Sequence, residues 1–256
     1  VEIQYKLMNY LNHVNNFPEY GVTENETIHL VLSDGTSYEG YRLGASGDAY
    51  GEVVFNTSMT GYQEMLTDPS YKGQILIPTY PLIGNYGVNT SDIESNTIQV
   101  NGFVVREACE SPSHSLSEGT IDDYLESAGV VGISGIDTRS LTRHLRSQGV
   151  MMGVITNKNI DEALSILDQA PQYGEFDVVH SVSTSKIYQW DDYGGENVIA
   201  FKELKSRSMK SSDSQCGQRA RDKNIEKWLV EKKEKIVIGD YGVKLNILRS
   251  LRARNC

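Results

Sequence analysis

Short apolar runs bounded by Gly, Asn, Ser or Pro recur through residues 28–156, a pattern that predicts a series of β-strands. The stretch IHLVLSDGTSYEGYRLG contains a short apolar strand and a return strand separated by Asp34-Gly35, a pair that readily adopts positive φ and predicts a β-hairpin. Val and Ile are concentrated in five further predicted strands: GEVVFNT, QILIPTY, IQVNGFVVRE, VVGISGI and MMGVIT. The amino-terminal part of the chain is therefore predicted to be rich in β-sheet.

Three amphipathic helices are predicted among the later strands. Thr120 followed by Asp123 forms a capping box at the start of the first helix. Asp137 or Thr138 begins the second, and the third covers IDEALSILDQA. Since strands come first and helices come later, the order predicts a mixed α/β domain.

The last residues show a different pattern. The stretch KIVIGDYGVKLNILRSLRARNC predicts an apolar strand, a tight turn and a helix with Ile247, Leu248 and Leu251 on one face. A strand that is apolar throughout requires cover on both faces, which one strand and one helix cannot provide. We therefore expect residues 235–256 to be the start of an incomplete doubly wound α/β domain.

Charge divides the chain into two parts within a net charge of −10. Residues 1–201 contain 9 Lys and Arg against 27 Asp and Glu, whereas residues 202–256 contain 15 against 7. The acidic part argues against binding to nucleic acid, which requires clustered cations. Residues 201–234 are rich in Lys, Arg and Ser and predict a basic linker, which either is solvated or contacts an acidic partner.

Composition also limits the location of the protein. No apolar run is long enough to cross a bilayer, and the first residues lack the features of a signal peptide. The three cysteines Cys109, Cys216 and Cys256 are odd in number and widely spaced, which argues against a secreted disulfide scaffold. A cytoplasmic protein is expected. Residues 1–27 have no sustained periodicity and are interpreted as an amino-terminal extension.

Motifs for acyl transfer, nucleotide binding and zinc chemistry are absent from the sequence. Cys109 and His114 are the nearest nucleophile and base in sequence, but Glu107 and Glu110 flank the thiol, whereas a reactive thiolate needs an electropositive environment. A structural or incidental role is the preferred interpretation of Cys109. The histidines form no ligand cluster in sequence, so no metal is proposed.

The segment from Gly51 to Asn89 is rich in Gly, Asn, Thr, Ser, Pro and Tyr between strands. Within it, Asp68-Pro69-Ser70-Tyr71 has Pro at the second position of a turn, which would hold the Ser70 hydroxyl in a fixed place. From chemistry alone, a plain turn is favoured over a ligand contact.

Four stretches together resemble the small subunit of the glutamine-hydrolysing carbamoyl-phosphate synthases. They are GEVVFNTSMTGYQEMLTDPSYKGQIL, TYPLIGNYGVN, SGIDTRSLTRHLR and IGDYGVKLNILRSL, in the order and spacing of that family. The resemblance covers residues from about 28 to 256. It implies a layered β/β/α (swivelling-type) domain at 28–200, and the start of a class I glutamine amidotransferase domain at 235–256.

For such a subunit the resemblance implies glutamine hydrolysis by a Cys-His-Glu set and transfer of ammonia to a large subunit. There, ATP, with magnesium, drives carbamoyl phosphate synthesis for pyrimidine and arginine production. Ser70 in TDPSY matches a family serine that helps to hold glutamine. The catalytic residues of the family would lie beyond Cys256, so no catalytic residue and no cofactor are predicted in this chain. The alternative is a non-catalytic docking or scaffolding module for a synthetase subunit.

Overall fold

The computed structural model describes residues 26–172, 174–175, 177–190, 196–198 and 235–254. The strands are β1 Thr27–Leu32, β2 Ser37–Gly44, β3 Ala49–Asn56, β4 Gln74–Pro78, β5 Leu82–Ile83, β6 Gly102–Val104, β7 Glu107–Ala108, β8 Val131–Ser134, β9 Met151–Thr156, β10 Tyr188–Trp190 and β11 Glu196–Val198. The helices are α1 Tyr62–Thr67, α2 Ile121–Ser127, α3 Thr138–Gln148, α4 Ile160–Gln169, α5 Val178–Val182 and α6 Leu245–Arg252, with a 3-10 turn at Pro69–Tyr71.

Seven strands close into a barrel in the order β1, β2, β8, β6, β4, β3, β9. The predicted hairpin is confirmed, because β1 pairs antiparallel with β2 and Gly35 has a φ of 85° at the turn. Strands β3, β4, β6 and β8 pair parallel with one another, whereas β3 pairs antiparallel with β9 and β8 pairs antiparallel with β2. The predicted mixed α/β class is confirmed, whereas its layered β/β/α subdivision stays a prediction.

Side chains alternate between the barrel interior and an outer layer covered by helices, as the two-residue period of a strand requires. Strand β6 illustrates this, because Val104 belongs to the interior cluster while Phe103 belongs to the outer one. Outer side chains pack under α1 and α2 on one side and under α4 on another. Strands β4, β6, β8 and β9 are therefore buried on both faces, which explains their Val- and Ile-rich sequences.

The three predicted helices are confirmed, and the first two have the caps that were predicted. The Thr120 side chain accepts a hydrogen bond from the backbone of Asp123, and the Asp137 side chain accepts one from Ser140. Asn159 caps α4 in the same way. Each cap satisfies an amide that the first turn leaves without a partner inside the helix.

Helix α1 was not predicted, because its sequence lies in the Gly- and Tyr-rich segment that was interpreted as loops. Gly61, at a φ of 85°, starts the helix. Tyr62 and Leu66 then bury their side chains against the barrel, and this tertiary packing stabilises a helix of only six residues.

The predicted strand in the last segment is wrong, because residues 235–240 have no strand structure. Ile236 and Val237 are 48% and 97% exposed, and no neighbouring strand among the described residues pairs with them. The predicted helix is confirmed as α6, but its face differs: Leu245 and Leu248 are buried while Ile247 is 49% exposed.

The predicted basic linker lies outside the described residues, as does nearly all of the amino-terminal extension. Among the helices that the structure describes, none combines the length and the apolar character needed to cross a membrane.

Candidate functional site

Ser70 lies in the 3-10 turn that connects α1 to β4. Asp68 precedes this turn, and its side-chain oxygen Oδ1 accepts a hydrogen bond from the Ser70 backbone amide at 2.9 Å. Pro69 restricts φ at the first position of the turn. Ser70 itself is exposed, whereas Asp68 and Pro69 are buried. The exposed serine therefore follows two buried residues that hold the turn in place.

The segment before α6 contacts this turn directly. The ammonium of Lys244 lies 2.6 Å from Asp68 Oδ2, and the Asp68 side chain is only 9% exposed. The hydrogen bond to Asp68 raises the pKa of Lys244, so this contact favours the charged lysine. Asp68 thus joins the serine turn to a residue 176 positions later in the chain.

Gly242 brings the two backbones close together. Its φ is 96°, and a β-carbon at this position would lie 2.8 Å from Val182 Cγ2 and 3.1 Å from Pro69 Cβ. Any larger side chain would push the segment away from the serine turn. The glycine is therefore required by both its backbone conformation and the available space.

Asp240 organises the turn that contains Gly242. Its Oδ1 accepts hydrogen bonds from the amides of Gly242 at 3.0 Å and Val243 at 2.9 Å. Its Oδ2 accepts the hydroxyl of Tyr188 at 2.6 Å. The first residue of β10 thereby fixes the turn from a second side.

Helix α6 receives its amino-terminal cap from the barrel domain. Lys244 precedes the helix and makes no side-chain cap. Instead the buried carboxylate of Glu94 accepts a hydrogen bond from the backbone amide of Asn246 at 3.0 Å. It accepts a second one from the side-chain amide of Asn246. Arg249 also donates to the Ile93 carbonyl at 2.8 Å. The cap and these contacts attach α6 to the loop at Ile93 and Glu94.

A small cleft of about 160 Å³ lies between the serine turn and this segment. Its lining includes Pro69, Gln99, Tyr188, Asp240 and Leu245. Small-molecule pockets are usually larger, at about 300–1,000 Å³. The cleft is therefore smaller than a usual small-molecule site, and Ser70 is not among the residues that line it.

Glu64, in α1, is the carboxylate most affected by burial near this region. Its Oε2 is buried and has no hydrogen-bond partner among the described residues. Burial raises the pKa of Glu64, and the charges of Asp92 and Glu94 raise it further. Ionisation of Glu64 is therefore less favourable in the folded state than in the unfolded chain.

Replacing Glu64 by glutamine is expected to increase the free energy of unfolding at neutral pH. A carboxyl whose pKa is raised by folding destabilises the protein as pH rises from its ordinary value of 4.5 to the raised value. The free energy of unfolding, measured by denaturant titration, should therefore decrease less steeply across this pH range in Glu64→Gln than in the wild type. Glu39→Gln, at an exposed position, is the control, and equal pH profiles for all three proteins would contradict the prediction.

Cys109 and His114 are not brought together as a catalytic pair. Cys109 is a half-buried free thiol, and its amide bonds to the Ile83 carbonyl at 2.8 Å. The exposed His114 accepts a hydrogen bond at Nδ1 from the Leu116 amide. Within the described part of the chain, no group of His, Cys, Asp and Glu side chains could hold a metal ion.

The sequence predicted the turn from Asp68 to Tyr71 but not the residues that contact it from a distance. Glu94 and Lys244 were not predicted, because no local pattern indicates which residues meet across the fold. Gly242 gave a local signal, because Gly in a tight turn indicates a positive φ.

Fold and site together define a barrel-centred α/β domain whose serine turn is held by a segment that follows it in sequence. The family model for the carbamoyl-phosphate synthase small chain, CPSase domain, matches residues 30–155, which include this turn. The chain belongs to the family of carbamoyl-phosphate synthase small chains.

Several curated relatives are similar over most of this chain. The carbamoyl phosphate synthase small chains of Syntrophotalea carbinolica and Aquifex aeolicus are each 42% identical over 230 residues, covering 89% and 88% of this chain. These alignments cover 54% and 55% of the relatives, so the chain spans about half their length. Among solved structures, an aminopeptidase from Aneurinibacillus sp. strain AM-1 matches 52% of this chain and 30% of its own at 15% identity, with a TM-score of 0.33, too low to support an argument.

Proposed function

We propose that these residues form the first part of a glutaminase subunit of carbamoyl-phosphate synthase. Residues 28–200 would form its amino-terminal domain with the layered β/β/α fold, 201–234 a basic linker, and 235–256 the start of its amidotransferase domain. The similarity to small chains over most of this sequence supports this division.

The complete subunit would hydrolyse glutamine and pass ammonia to a large subunit in the cytoplasm. The large subunit would use ATP and magnesium to make carbamoyl phosphate for pyrimidine and arginine synthesis, while this chain would need no cofactor. An enclosed route prevents ammonia from being protonated in water before it reacts. The two subunits would therefore have to bind tightly as a heterodimer.

The observation that carries the proposal is the position of Ser70 at the junction with the following segment. Asp68, on one side of Ser70, binds Lys244, while Pro69 contacts Gly242. A serine in this position can reach a substrate that is bound mainly by the second domain. Its exposed hydroxyl and the small size of the adjoining cleft both support such a supporting role.

Binding to the large chain without glutamine hydrolysis is the result that we expect from the 256-residue chain. The purified chain would be mixed with a carbamoyl-phosphate synthase large chain, and complex formation and ammonia release would be measured with an intact small chain as positive control. Failure to bind would contradict the subunit assignment. Ammonia release that Cys109→Ala abolishes would instead indicate an unrelated thiol hydrolase.

Ser70→Ala is expected to weaken glutamine use in a small chain that contains both domains. Loss of one hydrogen bond costs about 0.5–1.5 kcal/mol, which corresponds to a rise in KM for glutamine of about 2- to 12-fold. Synthesis from added ammonia should be unchanged, because it bypasses glutamine. Ser37→Ala, at an exposed position on β2, is the matched control, and an unchanged KM in Ser70→Ala would refute the assigned contact.

A further inference from the structure

Helix α3 presents three arginines on its outward side. Arg139, Arg143 and Arg146 are spaced by four and three residues, so they lie on one face, which we name the arginine face. The opposite face buries Leu141 and Leu145 in the barrel core. All three arginines are exposed, and no ion pair or hydrogen bond to their side chains is found in the part of the chain that the structure describes.

The arginine face does not stabilise its own helix. Arg139 lies in the first turn, where the helix dipole disfavours positive charge, and it repels Arg143 one turn later. Only Arg146, in the last turn, interacts favourably with the dipole. A contribution to folding therefore does not explain this arrangement.

The face is also an exception to the charge of its domain. Residues 26–190 contain eight Lys and Arg against 21 Asp and Glu, and three of those eight cations lie on this one helix. Two of the others, Arg42 and Lys158, form ion pairs with acidic side chains of the same domain. The arginine face is therefore a local positive patch on an acidic surface, and its complement is an acidic surface.

A groove of about 560 Å³ runs along the face. Its lining is entirely polar: Asp137, Arg139, Ser140, Arg143, His144 and Ser147. Small-molecule pockets are predominantly apolar, so this lining fits a polar protein segment better than a buried ligand. His144 hydrogen-bonds to Asp34 at 2.7 Å, which ties the helix to the β1–β2 turn and holds the face in place.

We propose that the arginine face docks an acidic segment of the synthase large chain. The planar guanidinium groups can bind Asp and Glu carboxylates in bidentate geometry. This inference rests on the proposed function, because it takes the large chain as the partner. It adds the surface that the partner contacts and the charge that the partner carries there.

Arg143→Glu tests the proposal without a cost in folding. The change removes the repulsion with Arg139 and places Glu three residues before Arg146, so the thermal unfolding temperature should be unchanged or slightly higher. Binding of the 256-residue chain to the intact large chain would be measured as rate and equilibrium constants over a range of salt concentrations. Lys186→Glu makes the same charge change at another exposed position and serves as the control.

The expected result is a dissociation constant that is roughly tenfold higher for Arg143→Glu, mainly through slower association, with a weaker dependence on salt. Lys186→Glu should bind like the wild type. Equal binding by wild type and Arg143→Glu would overturn the docking surface but leave the proposed function standing. Absence of binding by the wild type would overturn both. If duplex DNA or inorganic phosphate binds at α3 while binding of the large chain does not depend on Arg143, the arginine face binds a different anion and the proposal is wrong.

Discussion

Phe103→Ala is expected to lower the free energy of unfolding by about 3–5 kcal/mol, the largest stability effect that we predict for a single substitution. Phe103 is fully buried on the outer face of β6, where Leu66, Ile121 and Leu125 belong to the same cluster. Alanine would leave a cavity that two helices and the barrel surround, because the strand pairing of β6 with β4 and β8 limits collapse into the space.

Urea unfolding followed by circular dichroism would measure the effect of Phe103→Ala. Leu116→Ala is the matched control, because Leu116 is 60% exposed and its truncation should change stability by no more than about 0.5 kcal/mol. A loss of less than about 1 kcal/mol in Phe103→Ala would mean that the two sides of the barrel wall are not packed as described.

Glu94→Ala is expected to release α6 from the barrel domain. Glu94 caps the helix and bonds the Asn246 side chain, so its removal should cost about 2–3 kcal/mol of docking free energy. An isolated helix of eight residues is unstable in water, so undocking also melts it. Amide hydrogen exchange over 245–252 should therefore accelerate about a hundredfold, which corresponds to ~2.7 kcal/mol.

Two comparison variants separate the capping effect from a general loss of stability. Glu94→Gln retains an acceptor oxygen and should show a smaller acceleration of exchange in α6. Glu118→Ala removes an exposed carboxylate that bonds Thr90 and should leave α6 unaffected. If Glu94→Ala exchanges at the wild-type rate over 245–252, the helix is held by other contacts and its position beside Ser70 does not depend on Glu94.

Local sequence patterns were sufficient to predict the elements whose caps and turns are formed by neighbouring residues. The caps at Thr120 and Asp137 bond amides three residues later, and the β1–β2 turn depends on Gly35, so the sequence near each position contains the whole interaction. The same holds for the short Val- and Ile-rich runs that form the strands. These features allowed the mixed α/β class and three helices to be predicted.

Elements that need distant partners could not be predicted in this way. The apolar run at residues 235–238 has the composition of a strand, but a strand forms only beside another strand, and none among the described residues pairs with it. Helix α1 shows the opposite case. Its local sequence does not predict a helix, and the burial of Tyr62 and Leu66 against the barrel supplies the stabilisation.

By itself, the sequence determined the class of the domain, its helix caps and the turn that carries Ser70, because each depends on neighbouring residues. Only the tertiary structure decided what surrounds that serine. Lys244 meets Asp68, and Asn246 meets Glu94, across separations of more than 150 residues. Such pairs form when barrel closure and helix docking bring buried carboxylates to their partners, and no periodicity in the chain encodes which residues will meet.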